Sequence, residues 1–302
     1  MLQQPRPQHW LLLGFLCVVW GFAFYLIAIA VQSFPTITLV TLRLIIGAVV
    51  LTLVMRWQGL SLPREPQWWW YFGLLSLQGN LIPFSLITWA EIRIPSSQAG
   101  LIMALMPIST MVLAHYFIAH ERLTPRRVVG VLLGFGGVVV LVGGQAFADA
   151  GGEALWPQLA CVLATFSYAI NAVYAKRLPK INGLVVGAGS LIAGSILFVP
   201  VSLVMDQPWM LQVSTESWLA LSALGVLSTG LATWVYFVVV SECGPSFMSS
   251  INYIIPAISF AVGVILLAEP ATLSKFVGLI VVCLGIALSQ PRRKPLSASV
   301  TG

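Results

Sequence analysis

Seven stretches of this chain contain no Asp, Glu, Lys or Arg: residues 10–42, 66–90, 128–148, 154–175, 181–205, 217–241 and 243–268. Each is long enough for the roughly 20 apolar residues that cross a bilayer. Residues 94–120 also qualify, with His115 and His120 near their end. So do 36–55 once Arg43 is accepted, and 276–291 makes a short last span. Only 8% of the 302 residues are charged and 59% are hydrophobic, whereas soluble domains carry about 25% charged residues. The pattern predicts an all-α polytopic membrane protein. Ten transmembrane helices are expected near 10–31, 36–55, 68–90, 95–118, 125–144, 155–176, 183–204, 216–240, 246–267 and 273–290. Ala28-Ile29-Ala30 has the look of a signal-peptidase site, but the apolar run before it is longer than a signal h-region, so the first span is expected to be retained.

The chain also repeats itself. Pro107 lies inside an apolar segment that ends at His120-Glu121-Arg122, followed by Thr124-Pro125 and a Gly-rich segment. Pro256 lies inside another that ends at Ala268-Glu269-Pro270, followed by Thr272-Leu273 and a second Gly-containing segment. Glu121 to Gly137 and Glu269 to Gly285 are both 16 residues. Such self-similarity fixes architecture: a tail at 1–9, a five-helix unit at 10–147, a second at 154–290 and a tail at 291–302. An odd number of spans per unit makes the second copy enter the membrane from the opposite side. Lys and Arg give the orientation. With both ends cytoplasmic, 12 of them lie inside and only Arg93 and Lys275 outside, a positive-inside bias. Inverted repeats are the plan of many secondary transporters, with the substrate site near the midplane where the halves meet.

In its motifs the repeat resembles the EamA unit of the drug/metabolite transporter superfamily. In the first copy these are Trp20-Gly21-Phe22, Pro35, Thr41-Leu42-Arg43, Pro107 and Glu121-Arg122-Leu123. In the second they are Tyr168 to Arg177, Pro256 and Glu269. The second copy departs from the pattern: no Arg matches Arg43, and Phe166-Ser167-Tyr168 replaces Trp-Gly. The resemblance implies export of amino acids or other metabolites from the cell across the inner membrane, most similar to the aromatic amino acid exporter group. It also admits exchange of phosphorylated or nucleotide-linked sugars.

No paired mid-membrane carboxylates, Ser/His/Asp set, phosphate loop or metal cluster is visible, so the chain is not expected to be an enzyme and no cofactor or metal is expected. Cys17, Cys161, Cys243 and Cys283 read as packing residues. The net charge of +6 reads as loop anchoring rather than nucleic-acid binding. The expected partners are a small-molecule substrate and the lipid bilayer, with the chain working as a monomer. A non-transporting scaffold would need longer loops than these.

Substrate contacts are expected from side chains at mid-depth. Gln78 and Asn80 sit in the middle of the third span, with Asn171 and Asn252 nearer the cytoplasmic thirds of theirs. Such amides can grip a zwitterion; the alternative is interhelical hydrogen bonding, worth about 0.6–2 kcal/mol each. Trp20, Phe24, Phe84, Tyr168, Trp234 and Tyr253 can form apolar walls, and Met103 an adaptable surface. Pro83, Pro107 and Pro256 are hinge candidates or static kinks. Arg43, about seven residues into its span, either meets substrate or snorkels to the interface. Without a buried ionisable relay, facilitated diffusion stands beside proton coupling.

Overall fold

The computed structural model describes residues 4–118, 123–146 and 154–289. Among them there is no strand. The helices are α1 (Pro7–Ala30), α2 (Thr36–Trp57), α3 (residues 66–91), α4 (Ser96–Phe117) and α5 (Pro125–Ala146). They continue with α6 (Leu155–Ala175), α7 (Gly183–Met205), α8 (Thr215–Cys243), α9 (Ile251–Leu266) and α10 (Leu273–Ser289). Six of these, α1, α2, α4, α6, α7 and α8, are long and apolar enough to cross a membrane, and α9 and α10 are shorter apolar helices. Leu53, Val204, Ile265 and Ile280 stay exposed on the outside of the bundle, as a lipid-facing surface requires. The chain is a multi-pass membrane protein. His120, Glu121 and Arg122, and the tail 291–302, lie outside the described residues.

Three helices are irregular. In α3 a wide π-turn at Leu77–Leu81 precedes Pro83, and in α8 another covers Leu224–Leu231. In α4 a 3₁₀ stretch at Met103–Leu105 precedes Pro107. Each proline removes the N–H that would reach the carbonyl four residues earlier. For Pro83, Pro107, Pro200 and Pro256 those residues are Gly79, Met103, Ile196 and Asn252.

The packing returns to itself when the first five helices are exchanged with the last five. Helix α1 packs on α8 and α9, while α6 packs on α3 and α4. Helix α2 packs on α8, and α7 on α3; the pairs α2–α7, α4–α9 and α5–α10 meet directly. The α5–α10 contact is backbone on backbone. A methyl on Gly285 would stand 2.6 Å from Gly134 N, and one on Gly137 would stand 2.8 Å from Val282 N. The Gly130-Gly134-Gly137 stripe therefore packs within the monomer.

Long-range hydrogen bonds sort the loops onto two faces. On the far face, Thr38 N and Oγ1 both donate to Asp206 Oδ2 at 2.8 Å, and Ser217 Oγ donates to Ile29 O at 3.0 Å. Glu269 belongs to the same face: its Oε1 accepts from Ser96 N (2.7 Å) and Ser96 Oγ (2.9 Å), its Oε2 from Ser97 N (3.0 Å). A carboxylate here meets the free N–H groups and positive dipole end of α4. Lys275 Nζ, only 2% exposed, donates to Ser97 Oγ and Pro270 O, both at 3.0 Å. At the near face, His9 Nε2 pairs with Glu242 Oε2 at 2.8 Å, and Arg177 reaches Phe117 O.

Candidate functional site

Between the two sets of helices lies a cavity of about 290 Å³. It is at the small end of the range for ligand pockets, about 300–1,000 Å³. Trp20, Phe24 and Ile27 of α1 form one apolar wall; Met103 and Met106 of α4, with Ile255 of α9, form another. Of the four residues that stand four before a helical proline, Gly79, Met103 and Asn252 line this space, and Ile196 is exposed on the outside of α7. Irregular backbone beside the prolines thus borders the cavity, and in the 3₁₀ turn of α4 the Met103 carbonyl accepts from Met106 N–H instead.

Arg43 is the charged group on the wall. It is 5% exposed, and its guanidinium lies 3.9 Å from the centre of the Phe84 ring. Its Nε–H donates to Thr229 Oγ1 at 2.8 Å, while Thr229 Oγ1–H donates to Leu224 O at 3.0 Å inside the π-turn of α8. The threonine is thereby fixed with a lone pair toward the arginine. Arg43 makes no ion pair with any carboxylate among the described residues. It is anchored at one nitrogen and stacked on a ring, with the rest of its fork at the cavity. Snorkelling to the interface is therefore not its arrangement.

The other predicted residues divide. Trp20, Phe24, Asn80, Phe84, Met103, Tyr168, Asn252 and Pro256 stand in the wall. Trp20 is held by its Nε1–H, which donates to Ser228 O at 3.0 Å. Gln78, Asn171, Trp234, Tyr253, Pro83 and Pro107 stand outside it. Gln78 Oε1 instead accepts from Ser167 Oγ at 3.0 Å, and its carbonyl from the same hydroxyl at 2.8 Å, which ties α3 to α6. The Asn171 side chain fills the space left by Gly79. Trp234 packs with the α2–α7 and α1–α8 clusters, and Tyr253 against the central one. Sequence reasoning missed Ser228, Thr229 and Thr233, which line the cavity from α8. Their signal was present as a run of small polar residues in the middle of an apolar stretch.

Comparison with known proteins agrees with this architecture. Residues 8–143 and 155–289 each match the EamA-like transporter family. An uncharacterized transporter of Archaeoglobus fulgidus is 30% identical over 293 residues, covering 95% of this chain and 100% of its own. The aromatic amino acid exporter YddG of Ancylobacter novellus is 28% identical over 256 residues, covering 82% of this chain and 85% of its own. A solved crystal structure, 24% identical, superposes with a TM-score of 0.68 over 94% of this chain and 97% of that one.

Proposed function

Because the chain belongs to the EamA-like transporter family and is a membrane transporter, we propose that it is a secondary carrier exporting small metabolites, amino acids and among them aromatic or other apolar ones first, across the inner membrane by alternating access. In this reading all ten helices cross the membrane, as two inverted five-helix repeats with both termini cytoplasmic. The exchange symmetry of the packing supports the repeat. The inversion is supported by Glu269, bonded at the far face beside Ser96, while its sequence mate Glu121 follows the opposite end of α4. The far face is then the outer one.

The observation that carries the substrate class is Arg43, a buried cation at an otherwise uncharged cavity, with no ion-paired carboxylate among the described residues. A planar fork of N–H donors matches a carboxylate. The Asn80 and Asn252 side-chain amides suit an ammonium group, and Trp20, Phe24 and Phe84 suit an apolar side chain. A single cation is too little for a phosphorylated sugar.

Two measurements test this. Purified protein in liposomes preloaded with phenylalanine or leucine is expected to accumulate the labelled amino acid by counterflow, saturably. Absence of counterflow for every amino acid tried removes the substrate class. In oriented vesicles, cysteines at Tyr116 and Leu273, which are 73% and 79% exposed, are expected to react with an impermeant maleimide from opposite sides. Reaction from one common side removes the inverted topology.

A further inference from the structure

The far-face end of α3 holds a carboxylate with no partner. Glu91 is 7% exposed, and neither of its oxygens has a hydrogen-bond donor. Its position continues the helical stripe Asn80, Phe84 and Ile87, three residues of the cavity wall, one turn further out. Its neighbours along the chain, Ala90 and Ile94, are buried in the central apolar cluster. Other buried polar atoms without a protein partner occur on the same three packed helices: Thr88 Oγ1 on α3, Gln98 Oε1 on α4, and both amide atoms of Gln158 on α6.

Burying a negative charge with no donor in reach is costly, and a proton on the carboxyl removes the charge. The groups that act on Glu91 come from several elements. From α2, Arg43 attracts its negative charge; from the α9–α10 connection, Glu269 repels it. From α6 the titratable groups within electrostatic range are the thiol of Cys161, which senses Glu91, and Tyr168, which senses Arg43. The Ser96–Gln98 turn of α4 brings no titratable group, Lys275 of α10 is spent on Ser97 and Pro270, and α1 brings the apolar Phe24 and Ile27. Among the described residues no cation pairs with this carboxylate by direct contact.

We propose that Glu91 is a proton-binding site that governs the far face. It holds a proton while that face is shut. When the face opens, the carboxyl O–H breaks, the proton passes to water on that side, and the hydrated carboxylate is left. Closing takes a proton back. Acid on the far side therefore favours the shut state and alkali the open one, whichever solute the cavity carries.

Infrared difference spectra of the full chain in phosphatidylcholine vesicles, titrated with pH, test the idea without a substrate. A protonated-carboxyl C=O band is expected in the wild type and in Glu91→Asp, and is expected to vanish in Glu91→Gln. Cysteine placed at Ile27, in the far end of the wall, reports the conformation by its labelling with an impermeant maleimide. The ratio of its labelling in the wild-type and Glu91→Gln backgrounds cancels the thiol's own titration and is expected to rise several-fold with pH, since the Gln chain stays shut. A band that survives Glu91→Gln, or a ratio that does not change with pH, overturns the proposal. Failure of amino-acid counterflow leaves both readouts intact and strikes only the substrate reading.

Discussion

Arg43→Lys is expected to cut amino-acid counterflow at low substrate by about 10- to 100-fold while the protein remains folded. Lysine keeps the charge but loses the planar fork, the stacking on Phe84 and the Nε bond to Thr229. A hydrogen bond to a charged group is worth about 1.5–3 kcal/mol, and each 1.4 kcal/mol is about tenfold in affinity. The loss should sit in the half-saturation concentration. Arg43→Leu removes carboxylate recognition altogether and should leave no saturable flux. The measurement is counterflow of labelled phenylalanine over a concentration series. The same saturation curve in wild type and Arg43→Lys would exclude the guanidinium from substrate contact.

Glu269→Ala is the second large effect, and it falls on stability. This carboxylate accepts three hydrogen bonds from the first turn of α4, and the buried Lys275 ammonium shares Ser97 with it. Truncation strands a buried cation beside an uncapped helix end. Removing one partner of a buried charge arrangement costs about 3–5 kcal/mol. Thermal unfolding of the purified protein in detergent is expected to show a clear drop for Glu269→Ala and a smaller one for Glu269→Gln, which keeps an acceptor oxygen. An unchanged transition in the alanine variant would mean that these bonds do not hold the far face together.

Much of this arrangement was readable in advance, because lipid leaves a chain few choices. Charge-free length places the helices, and polar or aromatic residues at mid-depth mark the wall, which is how Trp20, Asn80 and Tyr168 were found. Rotation about each helix was not readable. Gln78 is only two residues from Asn80, yet it faces Ser167 on α6, since positions two apart do not share a helix face. Tyr253, next to Asn252, is turned off the cavity for the same reason. The π-turns carry no residue signature of their own, so the presentation of Thr229 to Arg43 emerges only with the partner helices in place. Glu91 and Lys275 stand at the ends of apolar runs, where a sequence suggests contact with water. Both are buried, Lys275 where the connection carrying Glu269 and Pro270 meets the start of α4.

On the far face, Asp206, Ser217, Glu269 and Lys275 tie distant helices together by several hydrogen bonds. In the proposed topology these bonds latch the outer door, and opening it breaks them together, so that stroke is expected to limit each turnover. Half-saturation would differ between the two directions of flux, with maximal velocities differing in compensation, as detailed balance demands of any uncoupled cycle.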